Sequence, residues 1–403
     1  MTEPGDKVVA SAAPTHGNPA SDLAERWQWL GHQPHPPVPA GAVGTLANRV
    51  LVYTRRTHIP TVLPALATAR SGLMITGPGP GKPIPQVTGL DYDGPIAIDP
   101  DAYGHHQATP DKPFLLPDDG LAGTNPTLDQ VLDAQLRAGY TVACTPTGYI
   151  GAGDIASLAA AAQQVKALGR TDTLFVAPLD ISLIDRAFFT QTQAILHDVG
   201  CPIALVLGKQ GDPLTQSVRI IPNLRTLAAT VPLMPICTDF NGLDLVAHGA
   251  FAAAIGTGGS IRHTVPYPRE PLSFNGRDKS PSVLVPDLMC WWKGSKINEL
   301  SGAAPSRAPR CRCGTCGDQA LTRFLQKEDQ PEAIAHAVAA WTVIAEGLLD
   351  QPTVRERAAY WRNICVGALN EHEMLAKRLR RPDAFEPQAP LKRWATLPAW
   401  PAE

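Results

Sequence analysis

No run of apolar residues in the 403-residue chain approaches the ~20 needed to cross a bilayer as a helix. The opening stretch MTEPGDKVVASAAPTHGNPA places acid before base and has no long apolar h-region, so no secretory signal is expected. The charge balance is almost even, at −2, and a whole-protein field that draws in nucleic acid is absent; any such partner must meet a local patch. No GxGxxG follows the first apolar run, which argues against a dinucleotide fold. The expected compartment is therefore the cytoplasm, without a membrane partner, and its reducing conditions argue against disulfides among the eight cysteines. Five of these, Cys144, Cys201, Cys237, Cys290 and Cys365, stand singly among apolar neighbours and read as small buried hydrophobes.

What is present suits a large globular chain. Hydrophobic residues make up 44% and charged residues 18%, enough to build an ample core. Of the 40 prolines many fall in the first 45 residues and the last 25, so residues 1–45 are expected to form a loosely draped arm. From about residue 47 a short apolar run, a Gly/Pro/Asp loop and an amphipathic stretch recur. The runs are GLMITG (72–77), GPIAID (94–99), YTVACT (140–145), TLFVAP (173–178), PIALVL (202–207), PLMPIC (232–237), AFAAAIG (250–256) and SVLVPDL (282–288). Helices are expected over 127–139, 154–169, 186–200 and 242–250. Continuous apolar strands alternating with helices imply a parallel sheet covered on both faces. Eight of them predict an α/β protein, a (β/α)8 TIM barrel over 46–300, followed by a metal-binding and helical region over 301–403.

Barrel chemistry sits where strands end. Asp99 and Asp101 follow the second run, Thr145 to Tyr149 the third, Asp180 the fourth, Lys209 and Gln210 the fifth, Asp239 the sixth and GTGGSIRH (256–263) the seventh. Gly258 and Gly259 can expose backbone N–H groups as a phosphate cradle, with Arg262 and His263 beside them. A turn that merely needs glycine dihedrals is the competing explanation. Further on, Cys311, Cys313 and Cys316 in CRCGTCG offer three thiolates to one ion. A tetrahedral Zn2+ wants a fourth ligand, and His336 on the helix after Asp329 and Pro331 is the first choice, His372 the second. With four protein ligands such a zinc is structural.

A (β/α)8 barrel followed by C-x-C-x2-C and a helical His resembles the tRNA-guanine transglycosylase superfamily, whose members exchange a guanine in nucleic acid for a 7-deazaguanine base. The resemblance implies roles for individual residues. DPDAYG (99–104) stands where the family has its acid/base Asp and a stacking aromatic, which gives these roles to Asp99 and Tyr103. Asp180 takes the reading of the base edge, since the family's position falls at Thr147. LGKQGD (207–212), with Gln210, resembles the pocket loop. The family's nucleophile follows the seventh strand, but AFAAAIGTGGSIRHT holds Arg262 and no Asp; Asp239, one strand earlier, is the substitute. The altered residues point to the branch that places 7-deazaguanine in DNA, with accessory proteins or a homodimer as expected partners. Arg307, Arg310 and Arg312, and Lys377, Arg378, Arg380 and Arg381, are candidate phosphate contacts, and Trp291 and Trp292 are read first as core and second as base-stacking groups. Two other functions fit the residues: a catalytically silent partner subunit, and an unrelated barrel enzyme holding a phosphorylated substrate or flavin.

Overall fold

A computed structural model describes residues 19–66, 69–77, 84–117, 125–269, 278–302 and 305–401. The first 18 residues of the expected arm lie outside these. The rest of it is folded rather than draped: α1 (Pro19–Gly31) buries Trp27 and Leu30, and Trp27 meets Trp400 edge-on at 4.9 Å. Two large apolar side chains on one helical face outweigh the local proline content.

Among the described residues, eight parallel strands carry the architecture. They are β1 (Arg49–Arg55), β2 (Leu73–Thr76), β3 (Ile96–Asp99), β4 (Ala143–Cys144), β5 (Thr173–Asp180), β6 (Ile203–Gly208), β7 (Leu233–Pro235) and β8 (Ala252–Gly256). They form two four-stranded sheets, ordered β3-β2-β1-β8 and β4-β5-β6-β7. Single parallel bridges, Ala97 with Val142 and Thr238 with Ile255, join the sheets' edges. Side chains alternate along each strand between two apolar clusters. Leu51, Tyr53, Met74, Ala97, Cys144, Val176, Val206, Met234 and Ala254 meet in one; Val50, Val52, Ile75, Ile98, Phe175, Leu205 and Ile255 meet in the other, under the helices. Strands buried on both faces read as unbroken apolar runs, which is why this sequence does not alternate polar and apolar.

The helices are α2 (Ile59–Val62), α3 (Leu128–Arg137), α4 (Ile155–Leu168), α5 (Phe189–Asp198), α6 (Ile220–Thr230) and α7 (Asn241–Ala247). Thr127 and Gln130 close α3's start as a capping box, Asp154 caps α4, and Gly169 ends α4 in the left-handed region at φ 61°.

One expected strand is displaced. SVLVPDL is not the eighth parallel strand: β9 (Ser282–Val285) pairs antiparallel with β10 (Cys290–Lys293), and the parallel set is completed by β1, which starts at Arg49. After α8 (Gly294–Ser301), a hairpin of β11 (Arg310–Cys311) and β12 (Gln319–Ala320) precedes α9 (Gln330–Leu349), α10 (Val354–Leu379) and α11 (Ala389–Thr396). Before α9, Asp329 forms a capping box with Gln326 in the 3-10 turn that leads into the helix. Lys327–Leu349 is the one described helix long and apolar enough to span a membrane, and 61% of its apolar window is buried in the protein, as in a core helix. The five single cysteines are all buried.

Candidate active site and metal centre

A cleft of about 1290 Å³ opens at the carboxyl ends of β1, β2, β3, β6, β7 and β8. Half-buried carboxylates lie within it, Asp101 after β3, Asp212 after β6 and Asp239 after β7, while Arg55, Arg56 and Arg269 stand exposed at its edge. Cys237 (φ 49°) and Asp101 (φ 54°) both line the cleft in the left-handed backbone region, where a side chain is strained, and such strain gathers at functional sites.

Asp99 is placed differently from its expected role. It has no exposed surface and does not line the cleft. Its Oδ2 accepts hydrogen bonds from the hydroxyls of Tyr53 (2.7 Å) and Tyr103 (2.6 Å), and its Oδ1 from the Asp101 N–H (2.9 Å). Burial pushes its carboxyl up, against these three bonds, which favour the charged form. Asp101, two residues on, does face the cleft. Burial and the neighbouring Asp99 charge push it up to about 7, with Arg55 opposing.

Asp239 is held the other way. Burial alone would raise it, yet the charge and contact of His263 (Nε2 to Oδ2, 3.2 Å), the Asn241 N–H (3.0 Å) and Arg262 hold it below the ordinary carboxylate value. Reciprocally, burial disfavours charged His263, but Asp239 and Asp212 raise it above its usual value. Burial and the Asp239 charge raise Asp212. The cleft thus holds one carboxylate lowered by a histidine that is itself raised, and two others raised by burial and neighbouring charge.

Of the other expected residues, Tyr103, Gln210 and Gly259 line the cleft and Gly258 does not. Neither Gly258 nor Gly259 has a positive φ, so the turn does not demand glycine dihedrals there. Gly256 is the sterically required one, since a Cβ would stand 2.0 Å from the Ile261 carbonyl oxygen. Arg262 points away: its Nη2 donates to Ser282 Oγ (2.9 Å) and its guanidinium lies 4.2 Å from the Trp291 ring centroid, with burial lowering it to about 10. Asp180 also lies outside, accepting from Tyr149 Oη (2.8 Å) and the Ser182 N–H (3.0 Å). Nearby, a segment after β3 bridges Gln107 to Tyr149 and Phe114 to Thr147, in the chain that follows β4. Trp291 packs on Phe240 at 4.7 Å and Trp292 on Phe385 at 5.5 Å, both as core groups. Asp212, the contact of His263 with Asp239 and the Arg55–Arg56 edge are not marked in the sequence. Their signal is position alone, since each lies just after a strand.

A second constellation lies behind β9. Cys311, Cys313, Cys316 and His336 bring one ligand atom each within 4.8 Å of one another, a group that could hold a metal ion. His336 Nδ1 is 3.1 Å from Cys316 Sγ and 3.4 Å from Cys313 Sγ. Ligand atoms around a tetrahedral ion bound by thiolates and an imidazole stand about 3.5–3.8 Å apart, so small shifts complete the geometry. His336 Nε2 lies 2.8 Å from the Leu284 carbonyl oxygen, which accepts its N–H and leaves Nδ1 free as a ligand. The turn is built for this: the Cys316 and Gly317 N–H groups donate to the Cys313 carbonyl, and Gly317 and Asp318 are left-handed. His372 is not a ligand, because its ring nitrogens face the carbonyl oxygens of Leu288 (3.0 Å) and Phe385.

No family model matches the chain, and no curated protein matches it.

Proposed function

We propose that the chain is a zinc-containing, transglycosylase-like enzyme that exchanges a guanine in nucleic acid, DNA in preference, for a 7-deazaguanine base. In this reading the two sheets are halves of one closed (β/α)8 barrel. The support is the pair of bridges at their edges and the alternation of all eight strands between an inner and an outer cluster.

The observation that carries the function is the split of carboxylates within one cleft at the strand ends: Asp239 held ionised by His263, and Asp101 near 7. Carboxylates pushed apart in this way divide into nucleophile and acid/base. The Asp239 carboxylate attacks the sugar C1′, forming an Oδ–C1′ bond as the C1′–N9 bond breaks. The departing guanine takes its proton from Asp101. The incoming 7-deazaguanine gives its N9 proton to Asp101 and attacks C1′, releasing Asp239. Asp99 acts from behind, orienting Tyr103 and the Asp101 turn through its three hydrogen bonds. The exposed arginines supply phosphate contacts. A zinc ion bound by Cys311, Cys313, Cys316 and His336 supplies no chemistry to the reaction and holds the hairpin to α9.

The test is incubation with guanine-containing DNA or tRNA and a labelled 7-deazaguanine, scoring which polymer takes up label. Labelled DNA, with no labelling by Asp239→Asn, supports the reading. Binding of nucleic acid without exchange in any polymer favours a silent partner subunit instead.

A further inference from the structure

Three thiolates and a divalent ion carry a net charge of −1, and such a charge is costly where it is buried. Cys316 and His336, at 1% and 0% exposure, are two of the ligands here. Cys311 Sγ receives the backbone N–H of Cys313 at 3.4 Å, a neutral donor. Cys316 Sγ instead receives Arg323 Nη2 at 3.4 Å. This guanidinium lies 3.9 Å from the centroid of the Phe324 ring, which in turn stacks on the His336 imidazole at 5.7 Å and 28°. Arg323 also pairs with Glu332 in the first turn of α9. The neighbouring cations serve elsewhere: Arg310 and Arg312 face Asp318 at 3.5 and 3.7 Å and are far more exposed. One residue thus touches a ligand sulfur, the ring under the ligand imidazole and the helix that carries it.

We infer that Arg323 is the positioning and charge-compensating residue of the metal centre, donating an N–H to the Cys316 thiolate and setting how tightly the ion is held. This rests on the metal reading, not on base exchange. A donor to the sulfur stabilises its lone pair, so its loss raises the energy of that pair. Removing an outer partner of a metal ligand typically weakens metal binding about 10–100-fold.

The test uses the full chain loaded with Co2+, read by its thiolate-to-metal charge-transfer band and by competition with a chelator. In Arg323→Ala the band moves to lower energy and affinity falls about 10–100-fold; Arg323→Lys, which keeps the charge without the planar fork, falls between this and wild type. An unchanged band and affinity in Arg323→Ala overturns the inference. So does a weaker affinity with an unchanged band, because Arg323 then acts only as a tether to α9. Should Arg323→Ala not fold, Arg323→Lys and Arg323→Gln are read by the same two criteria. A wild-type chain that takes up no Co2+ overturns the metal reading and the inference together, whereas a loaded wild type with unmoved variants overturns the inference alone.

Discussion

Asp244→Ala is expected to be among the most destabilising single changes in the chain. Asp244 has no exposed side-chain surface and Arg225 only 6%; their Oδ1 and Nη2 are 2.7 Å apart, and Arg225 Nε lies 3.2 Å from both carboxylate oxygens. The pair joins α6 to α7, and Arg225 Nη1 continues to the Pro398 carbonyl at 3.2 Å. His248 lies against the Ala399 carbonyl at 3.0 Å, and Trp400 is 1% exposed. Truncating Asp244 leaves a guanidinium buried with one backbone acceptor, and removing one partner of a buried pair costs about 3–5 kcal/mol. Replacing both partners by apolar residues, Arg225→Met with Asp244→Leu, returns most of that loss, because no charge is then stranded. Urea unfolding measures both, with limited proteolysis of residues 388–401 reporting release of that segment. A single-variant loss under about 1 kcal/mol, or a double variant no better than the single, refutes the reasoning, since the pair would then be solvated.

Three further predictions concern the two sites and the packing of α8. Asp101 has a folded-state value of about 7 against an ordinary 3.8, so the folded protein binds the extra proton between these pH values and its contribution to stability falls as pH rises through that window. Asp101→Asn therefore becomes progressively more stable than wild type from about pH 4 to 7, by thermal unfolding across pH; an offset independent of pH goes against the shifted carboxyl. Chelation, or Cys316→Ser, is expected to open the 310–320 hairpin and the start of α9, seen as hydrogen exchange confined at first to that region, with bound metal falling from about one per chain to none. Gly294→Ala places a Cβ 1.6 Å from the Phe324 carbonyl oxygen and so costs about 1–3 kcal/mol, read as a lowered melting temperature.

Much of the fold could be read from residues because its strands are buried on both faces: the runs at 72–77, 94–99, 140–145, 232–237 and 250–256 each contain one, and those at 173–178 and 202–207 most of one. The exception is instructive. VLVYT at 50–54 and SVLV at 282–285 are equally apolar, and an apolar run carries no information about strand direction, which its hydrogen-bonding partner decides. The proline-rich approach to Arg49 further masked β1, and with it Arg55 and Arg56. At the cleft, the rule that chemistry follows strand ends located Asp101 and Asp239, but it does not tell which of two nearby carboxylates is sealed. Asp99 and Asp101 differ by the Tyr53 and Tyr103 hydroxyls, and Tyr53 is 46 positions away from Asp99. The metal cluster was legible because its three cysteines are local in sequence and the helix register of His336 is simple. Arg323 was not, since nothing local marks an arginine that folds back onto a sulfur.

The central claim is that Asp239 forms a bond to a sugar in nucleic acid. Its most direct measurement is the intact mass of the full chain after reaction with a guanine-containing oligonucleotide, followed by denaturation. The account predicts a covalent adduct with the mass of the oligonucleotide lacking one guanine, lost in Asp239→Asn and released when a 7-deazaguanine base is added before denaturation. Oligonucleotide that binds but yields no adduct, or an adduct that persists in Asp239→Asn, contradicts it.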